Sequence, residues 1–129
     1  PSLIINASGA AGDETLRELG LAGPMLFGGT RGSHLITAQP QLCAALRGQA
    51  VYAEAHDGRP VFTLPFGDQV LIGTTDETHH GPVDEASASP AEVDYLRQMV
   101  RHVFGIALGS EEITAHYSGV RPLPRTDAA

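Results

Sequence analysis

Arg59–Asp76, RPVFTLPFGDQVLIGTTD, is the stretch whose reading decides the fold. It reads as two strands joined by Gly67-Asp68, a two-residue hairpin loop. Such a loop sets the register. Phe66 faces Gln69, Pro65 faces Val70, Leu64 faces Leu71, Thr63 faces Ile72, Phe62 faces Gly73 and Val61 faces Thr74. One face then carries Phe62, Leu64, Phe66 and Leu71, and the other Val61, Thr63, Pro65, Val70 and Ile72. Both are largely apolar, which predicts cover on both sides. The Phe62 ring lies opposite Gly73, where it can cover bare backbone. Thr74, Thr75 and Asp76 then follow in a row. Small polar side chains at the end of a buried strand suit hydrogen bonding to a ligand, and are also an ordinary way for a strand to stop.

Upstream, Ser2–Ile5 reads as a short apolar strand and Asn6–Gly12 as a turn of small residues. Asp13 leads Glu14–Leu19, a short helix stopped by Gly20. Strand, Gly-containing turn and helix outline a nucleotide-binding crossover. The spacing supplies only Gly9 and Gly12, however, not G-x-G-x-x-G. Asp13 and Glu14 also occupy the helix end that a phosphate would need. The turn is therefore a poor phosphate cradle, and backbone contact to an uncharged part of a cofactor stays open. Gly20–Gly29 is a loop, and Thr30–Gln39 alternates as a strand. Its one face carries Ser33, Leu35 and Thr37, and its other Gly32, His34, Ile36 and Ala38. Pro40 ends it. Gln41–Arg47 is a short helix or loop, and Val51–Ala55 a strand turned by His56-Asp57-Gly58 into the hairpin.

Downstream, Glu77–Ser87 is polar and reads as an exposed loop. The next helix has a complete start signal: Ser89 at the cap, Pro90 at the first position and Glu92 completing a capping box. Val93, Leu96, Val100, Val103 and Phe104 form an apolar stripe, and Gly105 closes it. Ile113–Ser118 alternates as a last strand, with Pro122 and Pro124 extending its exit. The pattern predicts an α+β fold: a mostly antiparallel sheet of five or six strands with one main amphipathic helix. Pro65 cannot donate to an outer neighbour, so the sheet should be open.

Composition narrows the function. The 129 residues, 42% hydrophobic and 18% charged, suit one globular domain or part of one. A net charge of −7 without a basic stripe argues against a nucleic-acid partner. All 8 basic residues are Arg, and they are scattered. The single Cys43 can form no internal disulfide and reads as a packing residue. No apolar run is long enough to span a membrane.

Three polar residues lie close to a glycine in or at the end of a strand: His34 after Gly32, Thr74 after Gly73, and Arg121 after Gly119. Glycine lets a ligand approach the backbone. If the strands are neighbours, an imidazole, a hydroxyl and a guanidinium share one patch suited to an anionic, oxygen-rich small molecule. His79-His80 beside Asp76 and Glu77 offers a metal reading. Adjacent histidines point apart on a strand and no third follows at helical spacing, which favours a solvated loop and no metal. His102 and His116 read as packing or surface residues.

Asn6-Ala-Ser-Gly9, Arg31-Gly-Ser-His34, Asp57–Phe62, Leu71-Ile-Gly-Thr-Thr-Asp76, Val93-Asp-Tyr-Leu96 and Tyr117–Leu123 occur in this order. Together they resemble the FAD-dependent glycerol-3-phosphate dehydrogenases, within the broader D-amino-acid-oxidase-like flavoproteins. The resemblance covers nearly the whole chain. It implies an internal piece of a longer oxidoreductase. Residues 1–20 would be a returning strand and helix of the FAD-binding domain, and 21–129 the substrate-binding cap domain. The dinucleotide fingerprint would lie upstream, and further contacts downstream. His34, Thr74 and Arg121 match positions lining the substrate pocket; Ser8 and Gly9 match the turn approaching the flavin. Arg31, Ser8 and Phe66 stand where the family usually has Lys, Thr and Trp, which bears on substrate preference.

The resemblance implies hydride transfer to FAD during oxidation of sn-glycerol 3-phosphate to dihydroxyacetone phosphate. Arg121 stays protonated and is expected to hold an anion or substrate oxygen. His34 is the expected base or proton relay, and Thr74 the residue that orients the substrate. Expected partners are the phosphate-bearing substrate, the remainder of the parent chain and a respiratory quinone or other membrane acceptor. The expected location is cytoplasmic, peripheral on the inner membrane face. The isolated segment is expected to be colourless and inactive. Two alternatives remain at this point: a related FAD-dependent amine or amino-acid oxidoreductase, and a non-catalytic small-ligand-binding or assembly module.

Overall fold

The computed structural model describes residues 2–21 and 23–125. The outer ends of the two expected units, Pro1 and Ala129, lie outside the described residues. Six strands form one antiparallel sheet: β1 (Phe27–Thr37), β2 (Val51–Glu54), β3 (Pro60–Phe66), β4 (Gln69–Gly73), β5 (Glu77–Thr78) and β6 (Ile113–Pro124). Along one path the order is β2-β3-β4-β1, with β5 continuing on the β4 side of β1 and β6 pairing its whole other edge. Three helices accompany it: α1 (Gly12–Glu18), α2 (Pro40–Leu46) and α3 (Pro90–Phe104). The α+β expectation and the open sheet both hold.

The hairpin forms in the expected register from Phe66↔Gln69 to Phe62↔Gly73. Gly67, at φ 64°, supplies the positive angle that the first central position of this tight loop requires. The Val61–Thr74 pair does not form, because β4 ends at Gly73. Beyond it, Thr74–Asp76 leaves the ladder and the chain rejoins β1 at Glu77↔Arg31. Cover is also unequal on the two faces. Val61, Val70 and Ile72 are buried in a core with Leu35, Leu42, Leu46, Leu96, Met99, Val100 and Leu108. On the opposite face Leu71 is buried as well, Phe62 and Leu64 are half-buried, and Phe66 at the hairpin end is 52% exposed.

α3 begins as its sequence dictates: Ser89 Oγ accepts from Glu92 N, and the Glu92 carboxylate accepts from Ser89 N at 2.9 Å. Gly105 ends it at φ 69°. Leu96 and Val100 are fully buried, joined by Met99, which the stripe read from sequence omits. Val93, Val103 and Phe104 pack at the margin of the core.

Two readings need correction. Ser2–Ile5 is not a strand: no ladder partner exists for it among the described residues, and Leu3 and Ile5 are 74% and 80% exposed. β1 starts at Phe27 rather than Thr30, because β6 continues to Pro124 and pairs with it throughout. α1 is tied to that end of the sheet. Gly12 seats against the Phe27 ring, and the Asp13 carboxylate accepts from the Leu26 and Phe27 amides at 3.1 Å.

Candidate functional site

The uncovered face of the sheet carries the candidate residues. Side chains alternate along β1, so Thr30, Gly32 and His34 share one face, and Arg31, Ser33 and Leu35 the other. Cross-strand register sets Gly73 and Tyr117 beside His34, Gly119 beside Gly32 and Arg121 beside Thr30. Gly73 and Gly32 each clear space for a neighbour. A Cβ on Gly73 would meet the His34 ring, with Nε2 only 2.8 Å away, so the imidazole lies across the bare backbone. Its other side stacks on Tyr117, with ring centroids 4.7 Å apart and planes 10° apart. Phe62, expected to cover Gly73, lies beside the same imidazole, with ring centroids 5.9 Å apart and planes tilted by 38°. A Cβ on Gly32 would collide with the Arg121 guanidinium and lie 2.6 Å from Thr74 Oγ1.

The Arg121 side chain therefore crosses over Gly32 to the end of β4. Its Nη2 donates to Thr74 Oγ1 at 3.1 Å and to the Thr75 carbonyl at 3.2 Å, and Nη1 donates to Asp76 Oδ1 at 3.1 Å. Three consecutive residues thus hold one guanidinium, which has five N–H donors in a rigid fork. The Arg121 Nε–H makes no hydrogen bond among the described residues. His34 has its pKa lowered from 6.5, first by burial and then by the Arg121 charge, so the neutral imidazole is the form favoured near pH 7. Its Nδ1 is buried without a partner, as is Thr30 Oγ1. A buried nitrogen cannot meet a ligand, which makes Nε2 the atom available for proton transfer.

Ser8 and Gly9 lie elsewhere, in an exposed turn before α1 that packs beside β6. Ser8 Oγ donates to Asn6 Oδ1 at 2.7 Å and lies 2.9 Å from Thr15 Oγ1. No hydrogen bond joins this turn to His34, Thr74 or Arg121 among the described residues. A groove of about 920 Å³ between α1, the Gly23–Leu26 segment, the His79–Val83 loop and the end of β6 includes Arg121 but neither His34 nor Thr74. The residues fit a flavin only in part. Gly9, at φ 61°, has nothing within 4 Å of where a Cβ would stand, so backbone is open to an uncharged ring or ribityl group. The first turn of α1 is acidic and the Asp13 carboxylate is already engaged, so a pyrophosphate is not held there.

Sequence reasoning missed the network on the opposite face, directly behind the candidate site. The Glu92 carboxylate is 2% exposed and accepts from Arg31, Ser33 Oγ, Thr75 Oγ1 and its own cap. Burial pushes its pKa up, but these donors prevail and hold it at about 2. The available signal was alternation: Arg31 and Ser33 share the helix-facing side of β1, where a charge requires a partner. His79 Nε2 lies 3.0 Å from the Pro82 carbonyl oxygen, and no cluster of His, Cys, Asp or Glu able to hold a metal occurs among the described residues.

Comparison with known proteins gives these observations a family. Residues 2–129 match the family described as FAD dependent oxidoreductase. A glycerol-3-phosphate dehydrogenase of Synechocystis sp. is 42% identical over 103 residues, covering 78% of this chain and 18% of that protein. A D-erythritol 1-phosphate dehydrogenase of Brucella abortus is 37% identical over 94 residues, covering 72% of this chain and 18% of that one. The solved glycerol-3-phosphate dehydrogenase from Bacillus halodurans, complexed with FAD, superposes with a TM-score of 0.75 at 28% identity. That match covers 88% of this chain and 23% of that one. The chain thus spans about a fifth of the length of the relatives it matches. An open sheet face carrying a neutral imidazole, a hydroxyl and a fixed guanidinium is accordingly part of a redox scaffold: the chain belongs to the family of FAD-dependent oxidoreductases.

Proposed function

We propose that this segment forms the substrate-side sheet of an enzyme that oxidises sn-glycerol 3-phosphate to dihydroxyacetone phosphate. The observation that carries the proposal is the convergence of His34, Thr74 and Arg121 across Gly32 and Gly73. It is joined by the identity of the relatives, a glycerol-3-phosphate and a D-erythritol 1-phosphate dehydrogenase. When bound by the complete protein, FAD would supply the two-electron acceptor for oxidation at C2.

The residues of this chain have the remaining tasks. Arg121 remains cationic and, held by Thr74, Thr75 and Asp76, presents fixed positive charge to a phosphate or a developing oxyanion. Thr74 Oγ1 orients the substrate hydroxyls beside it. His34 Nε2 takes the proton from the C2 hydroxyl, a role its lowered pKa permits, because a base must be neutral before it accepts. Tyr117, stacked on one side, and the Gly73 backbone on the other hold the imidazole plane, with Phe62 beside it. Ser8 and Gly9 offer the turn for contact with the uncharged part of the cofactor.

The test is anaerobic reduction of the flavin in the full-length protein. Glycerol 3-phosphate should bleach it, and unphosphorylated glycerol should not at the same concentration. Bleaching by an amine or amino acid instead would contradict the substrate assignment, and a full-length protein purified without flavin would contradict the whole reading. The erythritol-phosphate relative makes four-carbon polyol phosphates the second substrates to screen. A respiratory quinone as acceptor and a location on the inner face of the cytoplasmic membrane belong to the same proposal, checked by quinone reduction and by fractionation.

A further inference from the structure

Thr74–Asp76 is the one segment between Gly73 and Glu77 that leaves the β1 ladder, yet it is where Arg121 docks. A stretch without continuous strand pairing requires another anchor to hold a ligand-facing group still. That anchor lies on the far side of the sheet. Thr75 keeps one backbone bond to β1, its N–H donating to the Ser33 carbonyl at 3.3 Å, and turns its side chain away from the site, where Oγ1 accepts from the Ser33 amide at 2.9 Å. The same hydroxyl donates to Glu92 Oε1 at 2.7 Å. Ser33 Oγ also donates to that oxygen at 2.7 Å, and Ser118 Oγ lies 2.7 Å from Ser33 Oγ. Arg31 closes the set with its Nε and Nη2 on the two carboxylate oxygens. Glu92 itself is fixed in the first turn of α3 by the capping box.

We infer that Glu92 is a positioning residue for the proposed reaction: through Thr75 it sets the place of Thr74 and Asp76, and so of Arg121. The inference rests on the function proposed above. Its physical basis is that one buried carboxylate joins helix α3 to β1 and to the residues that follow β4, while Thr74, Thr75 and Asp76 grip the guanidinium from the other side. Loss of its charge leaves Arg31 and two hydroxyls on β1 and the β4 end poorly matched, and the segment they restrain is otherwise held to β1 by the Thr75 N–H donating to Ser33 O at 3.3 Å.

The experiment compares full-length wild type with Glu92→Gln, which keeps the side-chain volume. The first readout is hydrogen–deuterium exchange. The inference predicts at least tenfold faster exchange in peptides spanning Thr74–Asp76, with the Phe62–Val70 hairpin unchanged; unchanged exchange at 74–76, or a uniform rise over both peptides, overturns it. The second readout is steady-state kinetics at saturating flavin. KM for glycerol 3-phosphate should rise about tenfold more than kcat falls, and Glu92→Gln should add less than twofold in a Thr74→Ala background, because both act through one group. Full multiplication of the two effects would overturn the coupling. If wild type oxidises no glycerol 3-phosphate, the function reading fails, and the exchange comparison alone decides whether Glu92 holds the segment. If Glu92→Gln does not fold, Thr75→Val, which removes only the bridging hydroxyl, is measured with the same predicted and contradicting outcomes.

Discussion

On the helix side of the sheet, Leu35, Val61, Val70 and Ile72 meet Leu96, Met99 and Val100, and all seven side chains are buried. On the other side the same strands present His34, Arg121 and Tyr117 next to Gly32, Gly73 and Gly119, with Tyr117 48% exposed. One face is filled and the other is cleared. The difference follows from a two-residue period: each strand sends alternate residues to the core and to the site, so a residue fixed on one side fixes its neighbour on the other. Thr74 and Thr75 show it most directly. One hydroxyl faces the guanidinium, the next faces a buried carboxylate.

If the two faces have separate duties, substitutions should separate stability from turnover. The largest expected effect is on the cleared face: Arg121→Ala should lower kcat/KM for glycerol 3-phosphate by roughly a hundred- to a thousandfold with flavin still bound. Wild-type kinetics in that variant would remove Arg121 from the site. On the filled face Leu96→Ala should cost about 2–5 kcal/mol in chemical denaturation, through lost burial and the cavity left behind. Turnover per folded molecule should be unchanged. A loss below 1 kcal/mol, on the order of a surface change, would mean that the core is not where the structure puts it.

Gly32→Ala sharpens the comparison at the point where the faces meet. Its Cβ would displace the flexible end of Arg121 rather than backbone, so activity should fall tenfold or more, on the order of a displaced catalytic group, while the melting temperature moves little. The smallest effect should come from Ser89→Ala, about 1 kcal/mol for a lost cap. Since that cap also holds Glu92, a change in KM larger than its stability cost would support the link between α3 and the site.

Much of this was legible from residues alone. The hairpin register, the α3 cap and the alternation of β1 follow from local rules in which side-chain period, turn chemistry and capping agree. The grouping of His34, Thr74 and Arg121 was readable because each stands beside a glycine, and their nearness in space depended only on their strands being neighbours. What remained hidden depended on partners distant in sequence. Glu92 reads as a capping residue until Arg31, Ser33 and Thr75 are brought to it from two other elements. Ser2–Ile5 has the apolar character of a strand, yet a strand requires an edge to pair with, which local sequence cannot provide. The unequal cover was hidden for a similar reason: Phe62, Leu64 and Phe66 look like core because their pattern does not record which side the helices take.

The central claim is that a neutral His34 accepts the substrate proton beside a fixed Arg121. The direct measurement is the pH profile of kcat/KM for glycerol 3-phosphate in the full-length protein and its Arg121→Gln variant. Burial and the arginine charge both lower the His34 pKa, so the wild-type acid limb should lie below 6.5 and move upward when that charge is removed. An acid limb that stays where it was in Arg121→Gln, or that survives intact in His34→Gln, would contradict the account.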